Sequence, residues 1–161
     1  MNYQIRSIEK KDNPFVATII RSVLLELGVP KVGTAYEDTS LDCMFETYAK
    51  DRSHFFVIEE DGKVLGGGGV APLANYDGNV CELQKMYFLP EARGRKIGTQ
   101  LIDICLDKAR ELGFEGCYLE TMSYMKAAQK LYTNYGFKLL EGPMGDTGHH
   151  ACGVHMIKEL G

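Results

Sequence analysis

The first third of the chain shows two different periods of apolar residues. Alternation over residues 3–8 predicts a β-strand, because successive side chains of a strand point to opposite faces. A helix is predicted to begin at Asn13 and Pro14, since proline at the first helical position loses no hydrogen bond, and to end at Gly28. A second helix is predicted from near Thr39, with Asp42 as its capping-box partner.

The rest of the chain carries short apolar runs separated by turn residues, together with two amphipathic helical stretches. Asp61 and Gly62 are typical of a hairpin turn, and Gly113 and Gly136 end the two helical stretches. The predicted ranges are strands over 54–59, 63–73 and 79–89, a helix over 96–112, a strand over 115–121, a helix over 124–135, and strands over 137–140 and 152–159.

The predicted order of elements is β-α-α-β-β-β-α-β-α-β-β. A meander that leads into a β-α-β unit implies a mixed sheet with helices on its faces. The expected fold class is α/β (α+β), with a mixed, mostly antiparallel central sheet of about six or seven strands and about four flanking helices. No repeat or linker divides the sequence, so a single domain is expected over residues 1–161.

Four consecutive glycines, Gly66–Gly69, interrupt the strand predicted over 63–73. Together with Ala71 they formally fit the GxGxxA pattern of dinucleotide-binding loops. That loop works only where it opens a helix, and Pro72 followed by turn residues prevents a helix from beginning here. We therefore expect these glycines to leave room for a neighbouring backbone, side chain or ligand.

Composition narrows the classes of function. The 161 residues are 45% apolar and 25% charged with a net charge of −4, and this mild acidity argues against nucleic-acid binding as the main function. No apolar run reaches about 18 residues, and the charged N-terminus lacks the apolar core of a signal peptide. The expected location is the cytoplasm, where the five scattered cysteines would be reduced and buried.

A basic loop joins the third strand of the meander to the long helix. Arg93, Arg95 and Lys96 place three cations within four residues, and Gly94 and Gly98 allow a ligand to approach the backbone. The unpaired N–H groups at the start of a helix point to one place, where the helix dipole adds partial positive charge. Such a junction suits a phosphate or pyrophosphate group.

This loop and the order of elements resemble the GNAT superfamily of acyl-CoA-dependent N-acetyltransferases over essentially the whole chain. The family's loop reads Arg/Gln-x-x-Gly-x-Gly/Ala; Arg93, Ile97 and Gly98 match it, and Lys96 replaces the middle glycine. The segment AQKLYTNYGF over residues 128–137 is similar to the family's A-x-x-L-Y-x-x-x-G-F signature. Met125 stands where the family usually has an asparagine.

The resemblance implies acetyl-CoA as co-substrate. In the family the third strand of the meander carries a bulge that separates it from its neighbour, and the broken two-residue period over 80–88 agrees with a bulge. Backbone N–H groups over 86–88 are then candidate donors to the pantetheine arm and the oxyanion. The coenzyme-binding residues implied are Met86, Tyr87, Phe88, Arg93, Gly94, Arg95, Lys96, Ile97, Gly98 and Thr99.

The same resemblance implies an N-acetyltransferase that moves an acetyl group from acetyl-CoA to a primary amine by direct attack in a ternary complex. Tyr132 falls on the family's tyrosine and is the candidate general acid for the leaving thiolate, with a core tyrosine at helical spacing from Ala128 as the alternative. Glu82 is the candidate general base, with an exposed residue on a polar sheet face as the alternative. The alternative function is a non-catalytic acyl-CoA-binding or regulatory module on the same fold.

Glu120 and His149 are further candidate contacts of the acceptor amine, with a surface carboxylate and a solvated loop histidine as the alternatives. No metal is expected, because Cys152 and His155 would point to opposite faces of a strand. The expected partner is a small-molecule or peptide amine acceptor, and a homodimer is possible. Neither nucleic acid nor a membrane is expected to bind.

Overall fold

The computed structural model describes residues 2–161, whose helices and strands follow one another in the predicted order. Each predicted boundary lies within a few residues of the observed one, except in the region of the second helix. The elements are β1 (Tyr3–Ser7), α1 (Asn13–Glu26), α2 (Met44–Thr47), β2 (His54–Glu60), β3 (Lys63–Pro72), β4 (Val80–Phe88), α3 (Ile97–Glu111), β5 (Gly116–Thr121), α4 (Lys126–Asn134), β6 (Lys138–Leu139) and β7 (Val154–Glu159).

The strands form one seven-stranded sheet in the order β1-β2-β3-β4-β5-β7-β6. Neighbouring strands are antiparallel except β4 and β5, which are parallel and joined by α3. Helices cover both faces: Phe56 and Ile58 of β2 pack in the core beneath α3, and Phe55 and Val57 pack in the core beneath α1. The predicted mixed sheet with flanking helices is confirmed, and burial on both faces explains why residues 55–58 of β2 are all apolar.

The second helix is present, but it begins at Met44 rather than near Thr39 and is shorter than predicted. Thr39–Cys43 forms a 3₁₀ turn, and a single α-helical turn, α2, follows it. Asp42 accepts hydrogen bonds from both terminal nitrogens of Arg21 on α1, at 2.7 and 3.1 Å, instead of serving as a capping partner. Leu41 and Met44 are fully buried against α1, so tertiary packing sets this segment where helix propensity alone would have continued it.

The glycine run lies in the middle of β3, and at three of its four positions neighbouring backbone leaves no room for a side chain. A Cβ on Gly66 would lie 2.4 Å from the carbonyl oxygen of Tyr87, and a Cβ on Gly67 would lie 2.4 Å from that of Phe56. On Gly69 the distance to a backbone oxygen would be 2.5 Å. The expectation that the run leaves room for neighbours is confirmed, and no helix begins here.

Replacement of Gly67 by alanine is expected to destabilise the protein by about 3 kcal/mol, because the added Cβ would meet sheet backbone that cannot yield without losing hydrogen bonds. Urea unfolding would measure the change. Gly142→Ala is the matched control, since nothing lies within 4 Å of its added Cβ, and it should change stability by less than about 0.5 kcal/mol. Equal stability of the two variants would contradict the packing argument.

Candidate active site

β4 and β5 pair at their first residues and then separate. The parallel pairing covers residues 80–82 of β4 and 116–118 of β5, although both strands continue beyond it. Past this point Gly68 of β3 opposes two residues of β4, Lys85 and Met86, and Lys85 has a left-handed φ of 53°. The predicted bulge is therefore confirmed, and it coincides with the gap between β4 and β5.

The gap receives backbone donors from β4. The N–H of Leu89 donates to the carbonyl oxygen of Leu65 on β3 at 2.8 Å. Because successive N–H groups of a strand point to opposite sides, those of Met86 and Phe88 are directed toward β5, where β4 has no paired strand. The N–H of Tyr87 is directed toward β3, and its side chain lines the gap.

Two adjoining cavities run along this gap. The first lies between β4 and β5 and contains the acidic residues described below. The second lies at the start of α3, between the basic loop and α4. Met86, Ala128 and Tyr132 line both cavities, so a ligand that occupies the two would pass these three side chains.

The start of α3 supplies further donors to the second cavity. The first helical hydrogen bond runs from the N–H of Gln100 to the carbonyl oxygen of Lys96, at 3.2 Å. The N–H groups of Ile97, Gly98 and Thr99 precede that bond and are left without helical partners. Lys96 itself has a left-handed φ of 62°, a conformation that favours glycine, which is the residue the family's loop carries at this place.

The side chains of the three basic loop residues point in different directions. Lys96 and Arg93 line the second cavity, although the Arg93 guanidinium is also bound to Glu26 of α1 at 2.7 and 3.0 Å. Arg95 instead binds both carboxylate oxygens of Glu60 on β2 and lies over the ring of Tyr3. The Arg95 side chain is therefore directed toward β2 and away from the cavity, and that Arg95 binds the coenzyme stays a prediction.

Glu82 is buried in the first cavity, with 4% of its surface exposed, which excludes the alternative of an exposed sheet residue. Its Oε1 accepts a hydrogen bond from Nε2 of Gln84 at 2.7 Å. Burial raises the pKa of Glu82, the Gln84 hydrogen bond opposes this, and the charge of Glu120 raises it further, to about 7. A carboxyl group that titrates near neutral pH can accept a proton from an amine or from water.

Glu120 faces the same cavity from β5 and is not a surface carboxylate. The hydroxyl groups of Tyr118 and Thr147 donate to its two oxygens, each at 2.6 Å. Glu82, Glu120 and His149 each offer an oxygen or nitrogen atom within 4.8 Å of the others. The structure thus brings together three residues that the sequence analysis had named separately.

His149 reaches this group from the loop before β7, where Asp38 holds it. The imidazole Nε2 donates to Asp38 Oδ2 at 2.9 Å, and Lys85 Nζ lies 3.4 Å from the same oxygen. Burial lowers the pKa of His149, but the hydrogen bond and charge of Asp38 outweigh burial, so the pKa is raised. His149 is therefore not a solvated loop histidine.

Asp38 and Lys85 were missed by the sequence analysis. Asp38 lies between two 3₁₀ turns, where no periodicity indicates the direction of a side chain. Lys85 is directed into the site by the bulge, so the broken period of β4 was the available signal for it.

Tyr132 of α4 lies where the two cavities meet, packed edge-on against Phe137 with ring centroids 5.9 Å apart. Burial raises the pKa of its hydroxyl group to about 12. The hydroxyl is therefore protonated at neutral pH and can donate a hydrogen bond or a proton.

Glu82, Glu120 and His149 are the one group of three side chains within residues 2–161 whose atoms are close enough to hold a cation together. His150, Cys152 and His155 are not part of the group. That no metal takes part in the chemistry stays a prediction.

Comparison with known proteins agrees with this architecture. The sequence profile of the acetyltransferase (GNAT) family matches residues 20–137. The chain is also 41% identical over 157 residues to the uncharacterized N-acetyltransferase YjgM of Escherichia coli (strain K12). The alignment covers 97% of this chain and 94% of that protein. The chain belongs to the GNAT family of acetyltransferases, as its two sequence motifs indicated.

Solved structures establish the same fold at low sequence identity. An acetyltransferase of the GNAT family from Staphylococcus aureus Mu50 superposes with a TM-score of 0.84 at 20% identity, over 99% of both chains. YncA of Salmonella typhimurium, solved with its cofactor acetyl-CoA, superposes with a TM-score of 0.79 at 20% identity, over 100% of this chain and 95% of that one. Within residues 2–161 no helix combines the length and apolar character that a membrane crossing requires.

Proposed function

We propose that this protein is an N-acetyltransferase, organised as a single domain, that transfers the acetyl group of acetyl-CoA to a primary amine by direct attack in a ternary complex. The observation that carries this proposal is the pairing of two groups along one gap in the sheet. Glu82, whose pKa is about 7, lies within the gap, and Tyr132, whose hydroxyl is protonated at neutral pH, lies at its junction with the second cavity.

The residues present fit coenzyme A. The N–H groups of Ile97, Gly98 and Thr99 would bind the pyrophosphate, with Lys96 and Arg93 adding positive charge at the cavity wall. The cavity between the basic loop and α4 leads from these donors to the gap between β4 and β5, where the unpaired N–H groups of β4 would bind the pantetheine arm. Bound acetyl-CoA would supply an activated acetyl group as a thioester.

The side chains of the gap supply the proton transfers. Glu82 would accept a proton from the acceptor ammonium, directly or through a water molecule, and so produce the neutral amine. The N–H groups of Met86 and Phe88 would stabilise negative charge on the carbonyl oxygen while the C–N bond forms and the C–S bond breaks. Tyr132 would give a proton to the leaving sulfur, and the second proton released by the attacking nitrogen balances that transfer.

The charges of the first cavity favour a cationic acceptor. Asp38 forms ion pairs with both Lys85 and His149, so its charge offsets part of theirs. Within residues 2–161 no lysine or arginine forms an ion pair with Glu82 or Glu120, and His149 Nδ1 lies 3.9 Å from Glu120. Three carboxyl groups, Asp38, Glu82 and Glu120, therefore stand against two basic groups in this site. An aliphatic ammonium group would complement these carboxylates better than a neutral aromatic amine or an alcohol.

Saturating acetyl-CoA is expected to raise the melting temperature by about 5–10 °C through mass action, and an aliphatic primary amine should then release free thiol. Thermal denaturation and a thiol-release assay over aliphatic amines, aromatic amines and alcohols would measure both effects. Absence of any thermal shift at millimolar acetyl-CoA would contradict the proposal. A thermal shift without turnover on any acceptor would support a non-catalytic acyl-CoA-binding module instead.

A further inference from the structure

A chain of two hydrogen bonds links Tyr48, in the core beneath α1, to Glu82. The hydroxyl group of Tyr48, the residue that follows α2, donates to Oε1 of Gln84 at 2.5 Å. Nε2 of Gln84 then donates to Oε1 of Glu82 at 2.7 Å. Glu82 and Gln84 are two residues apart on one strand, so their side chains lie on the same face.

The direction of both hydrogen bonds is determined by the groups themselves. An ionised carboxylate can only accept, so the Gln84 amide must turn its NH₂ group toward Glu82. Its carbonyl oxygen then faces Tyr48, whose hydroxyl must donate. The reversed amide would place a carbonyl oxygen against the Glu82 carboxylate, which no hydrogen bond could stabilise unless Glu82 were protonated.

Tyr48 is well placed to hold this arrangement. It is buried, with 5% of its surface exposed, and its ring packs on Phe55 with centroids 5.1 Å apart. Because Tyr48 belongs to the core beneath α1, its hydroxyl has little freedom to follow a moving amide. The hydrogen bond from Tyr48 therefore fixes one orientation of Gln84.

Other groups around Glu82 act on its charge from several elements. Glu120 on β5 and burial favour the neutral acid, whereas Lys85 on β4 and His149 in the loop before β7 favour the carboxylate. Within residues 2–161, Gln84 is the residue whose side chain donates a hydrogen bond to Glu82. The remaining titratable or charged neighbours are Asp38, Tyr48, Tyr87, Cys117, Tyr118 and Cys152.

We propose that Tyr48 and Gln84 are positioning residues for the acetyl transfer: Tyr48 fixes the Gln84 amide, and Gln84 holds the Glu82 carboxylate in one orientation and in its proton-accepting form. This inference rests on the proposed function, in which Glu82 is the general base. Tyr48 acts without touching either substrate, because Gln84 lies between it and the carboxylate.

The test is the pH dependence of kcat/KM for the amine in Tyr48→Phe and in Gln84→Met, which keep the size of each side chain. Loss of a hydrogen bond to the ionised form should move the acid limb of the profile upward by about one pH unit. Activity should then fall about tenfold at pH 6 and return toward the wild-type plateau at high pH, with the KM for acetyl-CoA unchanged.

The double variant, Tyr48→Phe with Gln84→Met, tests whether Tyr48 acts on Glu82 through Gln84 or independently of it. If Tyr48 acts through Gln84, adding Tyr48→Phe to Gln84→Met should move the acid limb no further. Tyr3→Phe is the matched control, since it removes another tyrosine-to-glutamine hydrogen bond, to Gln100 at 2.6 Å, far from Glu82. Its profile should superimpose on that of the wild type.

The inference is overturned if the Tyr48→Phe profile keeps the wild-type acid limb, or if only the plateau falls, as a general packing defect would cause. Should Tyr48→Phe fail to fold, an unmoved limb in Gln84→Met overturns it equally. Glu82→Gln distinguishes a failure of the proposed base from a failure of the positioning role. If the acid limb survives in Glu82→Gln, the proposed base is wrong and the inference falls with it; if the limb disappears there but stays in place in Tyr48→Phe, only the positioning role is wrong.

Discussion

Replacement of Glu82 by glutamine is expected to lower kcat/KM for the amine by about 10²–10⁴-fold while leaving the Kd of acetyl-CoA nearly unchanged. Glutamine keeps the shape of the side chain and can still accept the Gln84 hydrogen bond, but it cannot take a proton. Steady-state kinetics and calorimetric titration with acetyl-CoA would measure the two quantities. The wild-type rate should rise with pH through about 7, where Glu82 ionises, and the variant should lose this dependence.

The same variant should be more stable than the wild type at pH 8. The pKa of Glu82 is raised from 4.5 to about 7 by folding, so the folded protein binds more protons than the unfolded chain between these values. Stability contributed by Glu82 therefore falls as pH rises through this window, and the cost above pH 7 is about 3 kcal/mol. Glu82→Gln removes that cost, which urea unfolding at pH 5 and pH 8 would show.

Glu115→Gln is the control for both measurements, because Glu115 is an exposed carboxylate at the other end of β5 from the site. It should change neither the rate nor the pH dependence of unfolding. Full activity in Glu82→Gln would transfer the role of base to another group of the cavity, Glu120 or His149. An unchanged stability profile would mean that Glu82 is hydrated or that Glu120 takes up the proton in its place.

Replacement of Tyr132 by phenylalanine is expected to lower kcat by about 10²-fold with less than a twofold change in the Kd of coenzyme A. Phenylalanine fills the same space between the two cavities and keeps the edge-on contact with Phe137. What it removes is a hydroxyl group that is protonated at neutral pH and can protonate the leaving sulfur. Rapid-mixing kinetics with a single turnover would separate the chemical step from product release.

Tyr76→Phe provides the comparison, since Tyr76 is exposed on the loop between β3 and β4. It should behave as the wild type in both rate and coenzyme affinity. If Tyr132→Phe kept the wild-type kcat, the thiolate would leave without a proton from this residue, and Tyr132 would serve packing alone. A substrate with a more acidic thiol should lose less rate in Tyr132→Phe, because its sulfur needs the proton less.

Most of the elements could be predicted because their signals are local. Asn13 and Pro14 open α1 and glycines follow α1 and α3, so caps and apolar periods lie within a few residues of the structure they determine. The start of the second helix was misplaced because no local signal opposed an earlier one. Its region is set by contacts with α1, among them the hydrogen bonds between Arg21 and Asp42, which are 21 residues apart in sequence.

The features of the candidate site were likewise only partly predictable from local sequence. The sequence by itself determined the family, through the loop over 93–98 and the segment over 128–137, and it named Glu82 and Tyr132 as the candidate base and acid. Only the tertiary structure decided that Arg95 is directed toward β2, and that Asp38 and Lys85 join His149 at the cavity. The physical reason is that the charge of a buried group depends on partners distant in the chain, which a period or a motif cannot indicate. A carboxyl group in an alternating strand could be exposed or buried, and the packing of α1, β5 and the last loop around Glu82 is what brings its pKa near neutrality.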